Sequence, residues 1–431
     1  MSWGFETDPE YQKVLDWAEA FVTEEVEPVD CVITHAYDME DPLRQALIPP
    51  LQQRVREKGL WATHLGPELG GQGFGQLKLG LLNEIIGRTH SGPIVFGAQA
   101  PDSGNSEILA HYGTPELKER FLKPLVNGDI VSCYSMTEPQ GGSDPTSFIT
   151  SAVADGDSWV INGEKWFSSN ARFASFFIIM AVTDPEAART DRASMFIVPA
   201  DTPGVEIVRN TGVWGHNYEV GTHAYMRFTD VRIPRDHLLG EVGRGFAVAQ
   251  TRLGGGRIHH AMRTVGLVRA SLDMMMERAK TRQTRGGSLA DKQLVQQMVA
   301  DSWIELEQFR LLVLRTAWRI DQYKDYRRVI NDIAAVKSAM PKVLHDVASR
   351  AMQVHGSLGV SDELPLGKWL SESYHMALAD GATEIHKMQI GRNLMRNVEP
   401  APGLWPTMHL PARVESAREK FRPQLEDLGL Y

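Results

Sequence analysis

An α+β chain is predicted, with a β domain inserted between two helical regions. Apolar residues recur at helical spacing before about residue 130 and again after about 240, while the segment between is made of short β-rich runs and turns. The length, 431 residues, exceeds what one hydrophobic core usually holds, and 42% hydrophobic with 23% charged residues is the make-up of a chain with a large interior.

Residues 1 to 130 form the N-terminal helical part. Val14, Trp17, Ala18, Phe21 and Val22 share one helical face, as do Leu79, Leu82, Ile85 and Ile86. Between them Gly66-Pro67-Glu68-Leu69-Gly70-Gly71-Gln72-Gly73 reads as loop. Residues 131 to 240 are the middle β domain. Phe148 to Ala154 and Trp159 to Asn162, joined by Asp155-Gly156-Asp157, predict a hairpin, and Phe176 to Val182, Ser194 to Val198 and Ala224 to Ile233 predict further strands. Residues 241 to 398 return to helical period. Val265, Val268, Leu272, Met275 and Ala279 mark one helix, Val299, Trp303, Leu306, Phe309 and Val313 a second, and Ala334 to Ser349 a third, which together suit an antiparallel bundle. Residues 399 to 431 hold Pro400, Pro402, Pro406 and Pro411 and read as an irregular extension.

Several functions are disfavoured. A net charge of −9 argues against nucleic-acid binding, which draws its affinity from Lys and Arg on phosphates. No GxxxxGK[ST] loop, GxSxG elbow, HExxH or paired CxxC occurs. Cys31 and Cys133 are too few and too far apart for a disulfide framework, Met1 to Glu10 lacks an apolar signal segment, and no apolar run is long enough for a membrane span. A cytoplasmic protein is expected.

Three segments concentrate polar chemistry. Cys133 to Asp144 mixes hydroxyls and glycines, and reads either as a turn-rich loop or as donors around a flat polar ring. Asn162 to Asn170 pairs Trp166 and Phe167 with serines, which suits a core strand or a stacking surface equally. In Leu378 to His386, Asp380 is either an N-cap or a base; a carboxylate in a dry cleft has a raised pKa.

Taken in order, Gly70-Gly71-Gln72-Gly73, Ser103-Gly104-Asn105, Tyr112-Gly113-Thr114, Met136-Thr137-Glu138-Pro139, Gly142-Ser143-Asp144, Ile161-Asn162-Gly163-Glu164-Lys165, Arg282-Gln283-Thr284, Gln353-Val354-His355-Gly356 and Asp380-Gly381 resemble the acyl-CoA dehydrogenase flavoprotein family along nearly the whole chain. Ala100 to Asn105 and Leu253 to His260 resemble the branch of family members ten and eleven and their bacterial relatives. The resemblance implies the acyl-CoA dehydrogenase fold, with a barrel-like or sandwich-like middle domain and a C-terminal four-helix bundle. It also implies FAD as cofactor, an acyl-CoA substrate, an electron-transferring flavoprotein as acceptor, and a homodimer or homotetramer.

By the same resemblance Tyr134, Met136 and Thr137 line the flavin, Phe167 or Trp166 stacks on it, and Ser169 bonds near its N5. Arg282 and Thr284 bind the FAD pyrophosphate of a neighbouring subunit, Gln293, Gln353 and Gly356 meet the adenosine end, and Ala382 and Glu384 face the cofactor. Ser143, Arg257 and Gly381 belong to the substrate side. Asp380 stands where much of the family has glutamate, and is the implied base for α-proton removal, with β-hydride transfer to the flavin yielding a 2,3-enoyl-CoA. Two other readings share the fold: a flavin oxidase of the acyl-CoA or nitroalkane kind, and a flavin-carrying DNA-binding protein, against which the acidic net charge weighs.

Overall fold

Side-chain caps start the first helices. The Asp8 carboxylate accepts the Glu10 amide at 2.9 Å and opens Pro9–Phe21, and Asp41 does the same for Pro42–Glu57 through the Arg44 amide. Gln76–Ile86 and Asp102–Tyr112 follow. These residues belong to a computed structural model that describes residues 6–69, 71–213 and 221–430; Gly70 and the first five residues of the N-terminal stretch lie outside them. Ala18, Phe21, Val22, Ile48, Val55, Leu82 and Ile86 close the N-terminal core.

Among the described residues the middle region is one curled mixed sheet of seven strands: β1 Ser132–Ser135, β2 Ser151–Asp155, β3 Ser158–Ser169, β4 Phe176–Val182, β5 Ala193–Pro199, β6 Val205–Thr211 and β7 His223–Pro234. The expected hairpin is β2–β3, antiparallel, with Ala152 opposite Ile161. β1 runs parallel to β4, and β5 pairs antiparallel along the whole of β4. β4 is apolar at every position because both its faces are covered. Phe177 and Ile179 point into the sheet's own core, whereas Phe176, Ile178 and Met180 pack with Ile108, Leu109 and Phe121 of the N-terminal helical region.

The C-terminal bundle is built from Gly245–Thr281, Gln293–Tyr323, Ile330–His355 and Leu366–Leu378. Val265, Val268, Leu272, Met275, Leu306, Phe309, Val313, Met340 and Leu344 share its core. Trp303, expected on the buried stripe, is 57% exposed; the interior face runs through Leu306, Phe309 and Val313 instead. No helix among the described residues is long and apolar enough to cross a membrane.

The chain divides into two compact units, Met1–Lys387 and Met388–Tyr431, with the boundary inside the Thr383–Arg396 helix. The second unit corrects the expectation of an irregular tail: Leu410–Lys420 and Arg422–Asp427 are helices. Pro411 stands in the first turn of the former, where the missing amide has no intrahelical partner to lose, so proline there starts a helix rather than breaking one.

Candidate active site

Asp380 occupies a sharp turn between the Leu366–Leu378 and Thr383–Arg396 helices. Its own φ is +55° and that of Gly381 is +105°, so the turn reverses the backbone within two residues. Four hydrogen bonds hold it. Arg257 Nε donates to the Asp380 carbonyl at 2.9 Å, His386 Nε2 lies 3.4 Å from the same oxygen, Thr383 Oγ1 donates to the Ala377 carbonyl at 3.2 Å, and Lys337 Nζ donates to the Met376 carbonyl. The carboxylate faces the Gly245–Thr281 helix. Arg252 Nη1 lies 3.8 Å from one oxygen and His260 Nε2 3.6 Å from the other.

Arg252, Gly256 and His260 share one face of that helix at intervals of four. Gly256 makes room: a Cβ there would stand 3.2 Å from Asp380 Oδ2. Arg252 is fixed in turn, donating from Nε to Asn105 Oδ1 at 3.1 Å and lying over the Tyr134 ring, 3.9 Å from its centroid. Beside Gly256 a cavity of about 30 Å³ is lined by His64, Gln76, Ser103, Glu107, His259 and Tyr326. Burial pushes the Glu107 carboxyl up to about 7, against the pull of Arg252.

The electrostatics of Asp380 run opposite to the expectation of a raised pKa. Burial does work to raise it, but His260, Arg252, Arg257 and Lys337 together hold it below the ordinary carboxylate range. Burial pushes His260 itself down to about 4, so near neutral pH the arginines and Lys337 carry the positive charge.

A second group lies on the β domain. After β1, the Met136–Glu138 loop is pinned to β3. Trp166 N–H donates to the Thr137 carbonyl at 2.8 Å, and Lys165 Nζ donates to the Met136 carbonyl at 2.9 Å. Lys165 also pairs at 2.8 Å with Glu138, whose carboxylate accepts the Ile149 and Thr150 amides. Tyr134 OH donates to Met136 Sδ. Phe167 has φ +54° beside a register shift between Lys165 and Ser168. Its ring packs 5.2 Å from His223, which lies 5.4 Å from His375 of the bundle. Trp166 packs edge-on against Phe167, 5.1 Å between ring centres, and against Tyr225, under Arg209, with no ring contact to His223 among the described residues. Ser169 Oγ shares a 2.9 Å hydrogen bond with His223 Nδ1. Hydroxyls, a half-exposed ring and a pinned loop form a shelf whose donor set fits a planar, polar-edged ring.

Tyr134, Met136, Arg257, Asp380 and Gly381 are thus joined directly or through Arg252, while Phe167 and Ser169 connect through His223 to His375. Ser143 is exposed on the loop that follows Thr137, and Ala382 and Glu384 follow the Asp380 turn. The remaining expected residues are separate. Arg282 and Thr284 lie on the exposed Gln283–Thr284/Gly287–Ser288 hairpin, Gln293 opens the next helix, and Gln353 and Gly356 are exposed at the end of Ile330–His355.

Arg252, His260, Lys337 and His223 were not anticipated. Two sequence signals bore on them. The run Gly254-Gly255-Gly256 is costly inside a helix and marks close approaches, and Lys337 interrupts the apolar stripe Ile333, Val336, Met340, Leu344.

Similarity to known proteins follows the same order along the chain. Models of the acyl-CoA dehydrogenase N-terminal, middle and C-terminal domains match residues 8–129, 133–231 and 243–395. The "Probable acyl-CoA dehydrogenase FadE2" of Mycobacterium tuberculosis is 41% identical over 80% of this chain and 85% of its own length. Acyl-CoA dehydrogenase family member 11 of Gallus gallus is 38% identical over 88% of this chain, which spans only 50% of that relative. Among solved structures, a Mycobacterium abscessus chain assigned to the acyl-CoA dehydrogenases superposes with a TM-score of 0.84 at 35% identity, covering 91% of this chain and 99% of the other. A glutaryl-coenzyme A dehydrogenase in complex with glutaryl-CoA gives 0.77 at 25%, covering 91% and 97%. With all three domain models matched in sequence from residue 8 to residue 395, the chain belongs to the acyl-CoA dehydrogenase family of oxidoreductases.

Proposed function

We propose that the chain is an FAD-dependent dehydrogenase that converts an acyl-CoA thioester into its 2,3-enoyl-CoA, with Asp380 as the base. The supporting observation is the Asp380 carboxylate itself, fixed on a backbone-strained turn, flanked by Arg252 and His260 and screened by burial. Asp380 takes the α hydrogen as a proton. Its own backbone amide donates to the thioester carbonyl and stabilises the charge that develops there. The β hydrogen leaves with its electron pair. FAD, when bound, supplies the hydride acceptor.

On this reading the cofactor ring lies on the shelf of Tyr134, Met136, Thr137 and Ser169. Phe167 rather than Trp166 stacks on it, because Phe167 is the ring that reaches His223 and the bundle side. Ala382 and Glu384 face the cofactor, and Ser143, Arg257 and Gly381 serve the substrate. Arg282 and Thr284 hold the pyrophosphate of a neighbouring subunit in a homodimer or homotetramer, with Gln293, Gln353 and Gly356 at the adenosine end. The setting is cytoplasmic and the acceptor of the electrons is an electron-transferring flavoprotein.

Asp380→Asn tests the assignment. The variant should purify yellow, with FAD bound, and bleach with acyl-CoA roughly 10²–10⁴-fold more slowly than the parent. Bleaching at the parental rate would remove Asp380 from the reaction.

A further inference from the structure

Lys337 is a fully buried lysine, 0% exposed, on the Ile330–His355 helix. Its neighbours on that face, Ile333, Val336, Met340 and Leu344, are buried and apolar. Burying an ammonium among them costs free energy that a methionine would not, so packing alone does not account for it. Its Nζ donates to the carbonyl of Met376, in the last turn of Leu366–Leu378. That carbonyl belongs to a helix end, where backbone acceptors lack intrahelical partners and a positive charge is favourable. The next turn of chain is the Ala379-Asp380-Gly381 reversal, with its two consecutive positive φ values.

We propose that Lys337 is a positioning residue for the Asp380 base: it anchors the helix end from which the turn departs and supplies one of the positive charges that keep the carboxylate ionised. The inference rests on Asp380 being the base. The charged and titratable groups facing Lys337 are Asp380, Arg257, His375 and His386. Those facing Asp380 are His260, Arg252, Arg257 and Lys337, with His375, His386 and Tyr134 around them. Asp380 draws the Lys337 proton on, while burial and Arg257 oppose it, leaving the ammonium at about 8. Arg257 grips the carbonyl of Asp380 itself, and Thr383 that of Ala377. Lys337 makes the contact furthest back along the chain, and like Arg257 it reaches the turn from a helix outside the pair that flanks it.

The test uses the flavin-loaded full chain and a panel of acyl-CoAs, comparing Lys337→Met, Lys337→Arg and Asp380→Asn. Lys337→Met should keep its flavin and lose roughly 10–100-fold in kcat with KM changed less than about threefold, since a displaced base is misaligned without loss of binding contacts. Removing a nearby cation raises the pKa of a carboxylate, so the acid limb of its kcat profile should move up by about one pH unit. Lys337→Arg keeps the charge and shifts the donor, so kcat falls while the acid limb stays. A purely structural lysine would move neither limb. Unchanged kcat and acid limb in Lys337→Met would overturn the proposal. If that variant does not hold flavin, parental kcat in Lys337→Arg overturns it instead. An active Asp380→Asn would overturn the base assignment and this inference together. An inactive Asp380→Asn beside a normal lysine variant would overturn the lysine alone.

Discussion

At His375 the folded environment pulls in two directions. Burial lowers the imidazole, while Glu372, 3.4 Å away, and Asp380 raise it, and the acids win. His64, His260 and His386 go the other way, pushed by burial to about 3, 4 and 4, and stay neutral from pH 5 to 8. A histidine whose folded pKa is raised stabilises the fold fully below its unfolded value of 6.5, and that stability fades as pH climbs through the folded value. Glu372→Gln should therefore cost stability near pH 6, and the gap to the parent should narrow by about pH 8.5. Urea unfolding at both pH values measures it; an equal gap at both would refute the pairing. Residue identities such as Asp380 were legible in the sequence through a motif. The cations around it were not, because Arg252 and Lys337 reach it from positions 128 and 43 residues away, an arrangement that only folding creates.

Helices meet more closely here than side chains normally permit. A Cβ on Gly266 would lie 2.3 Å from the Glu84 carbonyl, and one on Gly87 would lie 2.5 Å from Arg263 Cα. Propensity alone favours Gly266→Ala by roughly 1 kcal/mol. The clash is with backbone, which cannot swing aside, and overpacking costs about 1–3 kcal/mol. The substitution should therefore destabilise, lowering the urea midpoint with the m-value unchanged; a raised midpoint would mean the helices have room to part. At this scale the strands β2, β3, β4, β5 and β7 and the long helices were legible: the helices, β3 and β7 bury a periodic face, β4 and β5 are apolar runs buried on both faces, and β2 was marked by the turn that joins it to β3. β6 was not anticipated: none of its residues is buried, so its apolar signal is thin. The tail helices were hidden by prolines that sit in first turns.

One rod orders the large unit. Gly245–Thr281 is 37 residues long, touching the Asp380 turn through Arg257 about a third of the way along and ending beside Arg282. Arg282 follows Arg257 by 25 positions, about 37 Å along a helix at 1.5 Å per residue. That distance was legible as a number of residues but not as a straight line, because glycines at 254 to 256 gave no assurance that the helix runs through them unbroken.

The length of that rod has a genetic consequence. A chain cannot bring its own Arg282 to its own Asp380, so in the proposed assembly each reaction centre draws on two polypeptides. Two variants that are each inactive, Asp380→Asn and Arg282→Ala, should then rescue one another when co-expressed. A mixed dimer contains one centre with both groups intact, and random pairing would restore about a quarter of the parental activity. Separately purified variants mixed without subunit exchange would restore none, and co-expression without rescue would mean that Arg282 serves no neighbour.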